Sequence, residues 1–536
     1  MVTRNVAAPL LPRPRRDRSP GHPHAAAVVL AAAVVLAVAS LAIVLAPGAR
    51  APAGRPAPEG AVTPHPLPAA PVRAELTIPA GAHWIRVPPS FLGLSTEYVA
   101  LPDWTRRVPV AARVLSLVHV AGDEPVVLRI GGDSASKAVW QPNQGTVPAW
   151  AVELTPAWLT DTSALVRASR ARLILDLNVV TASPVLGAQW ARAAEAALPA
   201  GSIAGFEIGN EPDLYSRRYW TAIVSGSPLY LPPSVTAADY ARDFRAYAQA
   251  LAAATPGVPL LGPAVANPVR HVQWIATLLA SPHPGLQAVS VHRYPYSACA
   301  RAGSASYPMI ARLLSEAATA GIAGSIEPAV RLAHRAGLPF RLTELNSVTC
   351  GGRPGVSDTF ATALWAPDAL FELLRAGVDA VDIHVRPGMD NAAFSLTGQG
   401  LSARPLLYGL ILFARTLAPD SEVAPVQVHA GRSVQLKAWA VRPRSGGLRV
   451  LLINKGRQAV RVVLRLPRLG PASVERLSAP SVSSRSGTTL DGQHLSVAGR
   501  WLGRAWTERI TPGAAGYAVT VARYSAALLE TSTARR

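Results

Sequence analysis

"VVLRIGGDSAS", residues 126–136, runs from an apolar strand straight into a glycine pair, and its reading separates two folds open to a chain of alternating strands and helices. A dinucleotide-binding open sheet needs G-x-G-x-x-G at such a turn, so that the backbone can approach a pyrophosphate at the helix N-terminus. Here the order is Gly131, Gly132, Asp133, Ser134, and that fingerprint is missing. The turn instead carries Asp133 and Ser134 just beyond a strand end, where side chains face the active-site mouth of a TIM barrel.

Seven other apolar runs surround this one. They are "FLGLST" from 91, "RLILDLN" from 172, "IAGFEIG" from 203, "VPLLGPA" from 258, "LQAVSVH" from 286, "LPFRLTE" from 338 and "DAVDIHV" from 379, with Ala- and Leu-rich helical stretches between them. Strands buried on both faces read as near-continuous Val, Ile and Leu, and their alternation with helices marks βα units. Eight units predict an α/β chain with a (β/α)8 TIM barrel over residues 91–404. From 405 the texture changes to short strands, "SVQLKAWAV", "LRVLLINKG", "AVRVVLRLP" and "AGYAVTVARYSAALL", divided by Gly, Pro and Ser turns. These predict an all-β sandwich over 405–530. The strand-like "VRAELTIP" at 72–79 precedes the barrel, and residues 72–90 are expected to join that sandwich.

The net charge of +20 is unevenly spread. Residues 1–72 carry +5 and residues 401–536 carry +14, leaving about +1 for residues 73–400. A near-neutral centre with no zinc-finger, RNP or helix-turn-helix pattern excludes a nucleic-acid groove there. The basic C-terminal part is read as an Arg-rich solvated surface, with an anionic polymer or lipid as the alternative.

Residues 25–46, "AAAVVLAAAVVLAVASLAIVLA", have Ser40 as their one polar position, which as a helix would span a hydrocarbon core of about 30 Å. Arg4, Arg13, Arg15, Arg16 and Arg18 precede it, so residues 1–24 are expected to form a cytoplasmic tail and everything after 46 to lie outside. The length favours an uncleaved anchor over a signal peptide, although the small residues of "PGARA" at 47–51 leave cleavage and secretion open. Residues 47–71 are Pro- and Ala-rich, the composition of an extended linker. Cys299 and Cys350 are the only cysteines and can pair outside the cell. They lie far from any His/Cys cluster, so no metal is expected, and no cofactor is implied.

The strand ends supply the chemistry. In order they offer Glu97, then Asp133 and Ser134, then Asp176 and Asn178, then Asn210 and Glu211, then His292, Tyr294 and Tyr296, then Glu344, then His384 and Arg386. Glu211 and Glu344 end the fourth and seventh runs, on opposite sides of the ring. Retaining hydrolysis of a glycoside needs two carboxyl groups about 5–5.5 Å apart, one to attack the anomeric carbon and one to protonate the leaving oxygen. Asp176 and Asn178 are read as barrel buttresses, and Trp140 and Trp190 as core.

"EIGNEPDLY" (207–215) and "LTELNSVTCGG" (342–352) resemble glycoside hydrolase family 79, the β-glucuronidases and heparanases. "PSFLGLSTEY" (89–98), "LRIGGDS" (128–134), "VHRYPY" (291–296), "SDTFATALWAPDAL" (357–370), "RPLLYGLILF" (404–413) and "TLDGQ" (489–493) extend the resemblance. It implies Glu211 as general acid/base, Glu344 as nucleophile, and Asn210 on the sugar 2-hydroxyl. Tyr294 or Tyr296 would steer Glu344 or touch the sugar, and Glu97 and Asp133 would line the non-reducing-end subsite. Gly351 and Gly352 would donate backbone N–H groups to a uronate carboxylate. The interval between Glu344 and this pair is one residue longer than in the heparanases, with Cys350 in it. Cys299 and Cys350 follow neighbouring strands of such a barrel, so a disulfide between them would pin the loops carrying Tyr294 and Glu344. The near-neutral centre favours a small glucuronide or a glucuronate-capped glycan over a sulfated polymer. The resemblance therefore implies an exo-acting retaining β-glucuronidase binding carbohydrate. Its alternatives are a related glycosidase on neutral sugars and a catalytically silent carbohydrate-binding protein.

Overall fold

The computed structural model describes residues 70–143, 145–216, 234–466 and 470–531. The expected tail (1–24), membrane segment (25–46) and all but the last two residues of the linker (47–71) lie outside them. Among the described residues no helix is long and apolar enough to cross a membrane.

Eight parallel strands close into a barrel. They are strand 1 (Leu92–Glu97), strand 2 (Val127–Gly131), strand 3 (Arg172–Leu177), strand 4 (Ile203–Ile208), strand 5 (Leu260–Val265), strand 6 (Leu286–Arg293), strand 7 (Phe340–Leu345) and strand 8 (Ala380–His384). Every residue of strands 1, 2, 5 and 8 is buried, as strands between a filled lumen and a ring of helices must be. Strand 1 pairs with strands 8 and 2, closing the ring. The helices between strands begin on ordered caps. Thr155 and Ser183 accept the N–H groups of Trp158 and Leu186, each ahead of a proline at the first helical position, and Thr236 forms a capping box with Asp239. Such caps satisfy amides that the helix itself cannot.

The lumen is apolar only at one level, where Val127, Ile174 and Leu261 meet. One pleat repeat further along, strand 2 turns Arg129 inward, and one repeat beyond that Gly131. A Cβ on Gly131 would lie 2.5 Å from the Arg129 guanidinium carbon, so the glycine leaves the arginine its space. Gly132, with φ +70°, likewise leaves room for the Glu97 side chain, 2.9 Å from where a Cβ would sit.

The β domain is built on a four-stranded and an eight-stranded sheet, with a small two-stranded pairing of His494–Leu495 and Trp501–Leu502. The large sheet has two buried faces. Trp439, Val441, Leu451 and Ile453 join the barrel's core, while Ala438, Ala440, Val450 and Leu452 meet the small sheet. Val72–Thr77 lies within the small sheet, parallel to Val460–Arg465 and antiparallel to Gln427–Ala430. Two sequence expectations are corrected. The β domain does not start at 405, because Pro405–Thr416 is a helix with eleven buried residues. It packs on the Phe360–Arg375 helix through Gly409, whose added Cβ would fall 2.5 Å from the Ala363 carbonyl. A helix buried on all sides shows no amphipathic period and so imitates a strand. The run "AGYAVTVARYSAALL" is also two strands, Tyr517–Val521 and Ser525–Thr531, in different sheets.

Candidate active site

At the C-terminal mouth of the barrel a cavity of about 370 Å³ is lined by Glu97, Asp133, Asn210, Glu211, Tyr294, Glu344, Gly351 and Arg386, together with Cys350, His384, Met389 and Asn391. That volume falls within the usual range for small-ligand sites, roughly 300–1,000 Å³.

Strand 4 is followed by Gly209 at φ +81°, and Glu211 then sits in the left-handed region, at φ 51° and ψ 51°. That conformation costs a side-chain-bearing residue about 1–2 kcal/mol. It is held by the Glu211 N–H donating to Ala264 O at 3.0 Å, and it turns the carboxyl group into the cavity. On strand 6 a register shift between Val291 and His292 sets His292 opposite Glu344 on strand 7. His292 Nδ1 then lies 2.9 Å from Glu211 Oε1 and 3.7 Å from Glu344 Oε2, with the ring buried between the two carboxyl groups. Ligating atoms of Glu211, His292 and Glu344 all lie within 4.8 Å of one another.

Arg129, the Tyr294 phenol and the His384 ring surround Glu344. Arg129 Nη1 donates to its Oε1 at 2.6 Å, and Tyr294 Oη donates to its Oε2 at 2.9 Å. His384 Nδ1 stands 3.6 Å from Oε1. Burial pushes the Glu344 pKa up, but His292, His384, Arg129 and the Tyr294 hydrogen bond together outweigh it and hold the value well below the carboxylate range. Glu211 has the opposite outcome. Burial raises its pKa to about 7, against the hydrogen bond and charge of His292 and with the help of the Glu344 charge. One carboxyl group is therefore protonated where the other is ionised, which is the division of labour that acid and nucleophile require.

Arg129 organises this floor, and nothing in the sequence reading had singled it out. Wholly buried, it donates to Glu207 at 2.7 Å, to Asp176 and Asn210 at 3.0 Å each, and to Glu344. Asp176 thus buttresses the guanidinium, and Asn210 is aimed by it. The signal was a lone arginine inside an apolar strand with glycine two positions on, matched by inward acids in the third and fourth runs.

Other candidate residues are arranged around this core. Glu97 Oε2 accepts the Ser134 N–H at 2.9 Å and Oε1 lies 3.3 Å from Arg386 Nη1. Ser134 itself is buried behind Glu97, its hydroxyl donating to Gly131 O. Tyr296 lies away from the cavity and donates to Arg312 O. Of the glycine pair only Gly351 lines the cavity. The Gly352 N–H is turned to Thr349 O at 3.4 Å, and an added Cβ would strike Asn391 N at 2.5 Å. Asn178 fixes its own loop through Val180 and Thr181, and Trp140 packs against Trp190 with the rings tilted at 45° and their centroids 5.3 Å apart. Cys299 and Cys350 are bonded, with Cα atoms 6.0 Å apart, beside the short parallel pairing of Tyr296 and Ser297 with Val348 and Thr349. The Glu211–His292–Glu344 set has enough ligating atoms for a metal ion, with Glu344 already engaged by Arg129 on one oxygen and by Tyr294 on the other.

The chain thus closes a βα barrel whose fourth and seventh strands lead into facing carboxyl groups of divergent acidity. No family model matches the chain. It is similar to a β-glucuronidase of Aspergillus niger, 25% identical over a 342-residue alignment that covers 55% of this chain and 59% of that protein. Among solved structures it is similar to a 4-O-α-L-rhamnosyl-β-D-glucuronidase of Fusarium oxysporum (TM-score 0.69, 19% identity, covering 86% of this chain and 99% of that one). It is similar also to a family 51 arabinofuranosidase of Xanthomonas axonopodis pv. citri (TM-score 0.61, 15% identity, 86% and 100% covered). These two structural likenesses are likenesses of fold.

Proposed function

We propose that the protein is an exo-acting retaining β-glucuronidase of the family 79 type. The observation that carries this reading is the Glu211–Glu344 pair, close together and pushed apart in acidity. Glu344 attacks the anomeric carbon while protonated Glu211 gives its proton to the leaving oxygen, so that the aglycone departs as a neutral alcohol. Glu211, now a carboxylate, takes a proton from water as that water attacks the glycosyl ester, and the sugar leaves with its configuration retained. Asn210, fixed by Arg129, bonds the 2-hydroxyl as positive charge grows at the ring.

The uronate preference is supported by the similarity to the Aspergillus enzyme and by a cation, Arg386, at the cavity wall. In this reading residues 25–46 hold the catalytic domain outside the membrane, or release it if they are cleaved. The test is a panel of aryl glycosides with proton NMR of the first-formed anomer. Cleavage of the β-glucuronide with retention, and of no glucoside, galactoside, xyloside or arabinofuranoside, is expected. Inversion overturns the mechanism, and turnover of a neutral sugar alone overturns the substrate.

A further inference from the structure

The small sheet of the β domain carries positive charge that its fold does not use. Ala74 and Leu76 from one strand, and Val460, Val462 and Leu464 from its neighbour, fill the sandwich core. Arg73 and Arg461 therefore face outward, and both are exposed. They are Cα partners across the parallel pairing, which sets two guanidinium groups side by side, and like charges directly opposite destabilise a sheet. Further along the same two strands Arg465 is answered by Glu75. Arg73 and Arg461 have no carboxylate partner among the described residues.

Three loops converge on this end. Lys455 N–H donates to Gln435 O at 2.8 Å, Tyr524 N–H to Gly456 O at 3.1 Å, and the Asn454 side chain to the carbonyls of Gln458, Val521 and Ala522. Each loop adds one exposed arginine, Arg432, Arg457 and Arg523, and these too lack a carboxylate partner among the described residues. The domain's acids are engaged elsewhere. Glu530 pairs with Arg449, and Asp420 and Glu422 with Arg86, Arg444 and Arg442. The chain also enters the fold here, since Val72 N–H donates to Ala459 O at 3.0 Å. Residues 47–71 thus lead from the apolar stretch 25–46 directly into the patch.

We propose that this five-arginine end, Arg73, Arg432, Arg457, Arg461 and Arg523, docks on the anionic phosphate surface of a lipid bilayer. Guanidinium groups match phosphate oxygens with paired donors, and a surface phosphate would relieve the Arg73–Arg461 repulsion that the sheet itself leaves standing. The tether favours lipid over a soluble polyanion, because a bilayer entered by residues 25–46 is within reach of the patch at every moment. This inference is independent of the glycosidase reading and uses the sequence-based reading of residues 25–46.

The test follows amide exchange in the full chain with vesicles of phosphatidylcholine alone, and of phosphatidylcholine with phosphatidylglycerol. Exchange in 431–434, 456–461 and 522–524 is expected to slow several-fold on the anionic vesicles only, and to recover at high salt. Arg73→Ser with Arg461→Ser should weaken the effect about tenfold or more, each arginine contributing roughly fivefold. Their melting temperature, unchanged or raised by relief of like-charge repulsion, shows that they fold. Equal exchange on both lipids overturns the proposal. Protection by soluble heparin but not by anionic vesicles also overturns it, in favour of a glycan-docking face. If the chain fails to float with neutral vesicles the anchor reading falls, and flotation with anionic vesicles alone still supports the patch.

Discussion

The guanidinium of Arg129 donates from Nη1 to Oε1 of Glu344 at 2.6 Å while both side chains are buried. Burial works against the charge of Arg129, but Glu207, Glu344 and Asp176 together hold it firmly protonated. The pair is a fixed charge and its counter-charge in a water-poor lumen, and removing one partner strands the other. Arg129→Gln is expected to cost about 3–5 kcal/mol of stability and to lower kcat by at least about a hundredfold through misplacement of Glu344 and Asn210. Arg129→Lys keeps the charge but cannot reach all four acceptors, so it should fall between. Urea denaturation and steady-state kinetics on the same preparations check both.

The two carboxyl groups are separable by leaving group. On the proposed mechanism Glu344→Gln should abolish turnover of every glycoside, since a neutral amide cannot take the place of the attacking carboxylate. Glu211→Gln removes the proton donor of the first step and the base of the second, each role worth about 10²–10⁴-fold. It should therefore spare only the first step, read as kcat/KM or as a burst, of substrates whose aryl leaving group departs without protonation. A dinitrophenyl glycoside whose kcat/KM falls as far as that of an unactivated one in Glu211→Gln would contradict the acid role.

The pH profile follows from the same residue. With Glu211 titrating at about 7, kcat/KM should fall as pH rises through that value. His292 lowers the Glu211 pKa by a hydrogen bond and by charge, so His292→Gln should shift the alkaline limb to higher pH, by up to about one unit. A limb that stays in place would show that His292 does not set the acid's proton affinity.

Much of the barrel was legible because parallel strands buried on both faces have no alternation to misread, and all eight runs fall where strands form. Glu211 and Glu344 were legible because strand ends are where a barrel exposes chemistry. Arg129 was not, since a charge inside an apolar strand carries no local sign of what it meets. Its partners Asp176, Glu207 and Glu344 lie on three other strands, and only closure of the ring joins them. Tyr296 and Gly352 share their neighbours' sequence context but are turned away by a short strand pairing and a tight turn. Backbone direction over two or three residues decided these cases, and residue type could not reveal it.

The disulfide joins the loop after strand 6 to the loop after strand 7, and Cys350 and Gly351 both line the cavity. Cys299→Ser with Cys350→Ser should lower stability by about 2–4 kcal/mol. The Arg129–Glu344 contact lies below these loops and does not depend on them. KM should therefore rise several-fold while kcat changes little, which stopped-flow and steady-state assays can separate. A large loss of kcat would mean that the loops also position Glu344.

Stability should move in opposite directions with pH at the two glutamates. The folded-state pKa of Glu211 is raised above the unfolded value of 4.5 to about 7, so its favourable contribution is complete below about 4.5 and is lost as pH rises through 7. Glu211→Gln cannot ionise and escapes that loss, so its melting temperature should gain on the wild type between about pH 5 and about pH 8, by the equivalent of about 1–3 kcal/mol. The folded-state pKa of Glu344 is depressed instead. Its contribution is present above about 4.5 and is lost as pH falls, so Glu344→Gln should be less stable than the wild type at neutral pH and approach it in acid. Parallel trends in the two variants would mean that the carboxyl groups share one environment, and the proposed assignment of acid and nucleophile would lose its electrostatic basis.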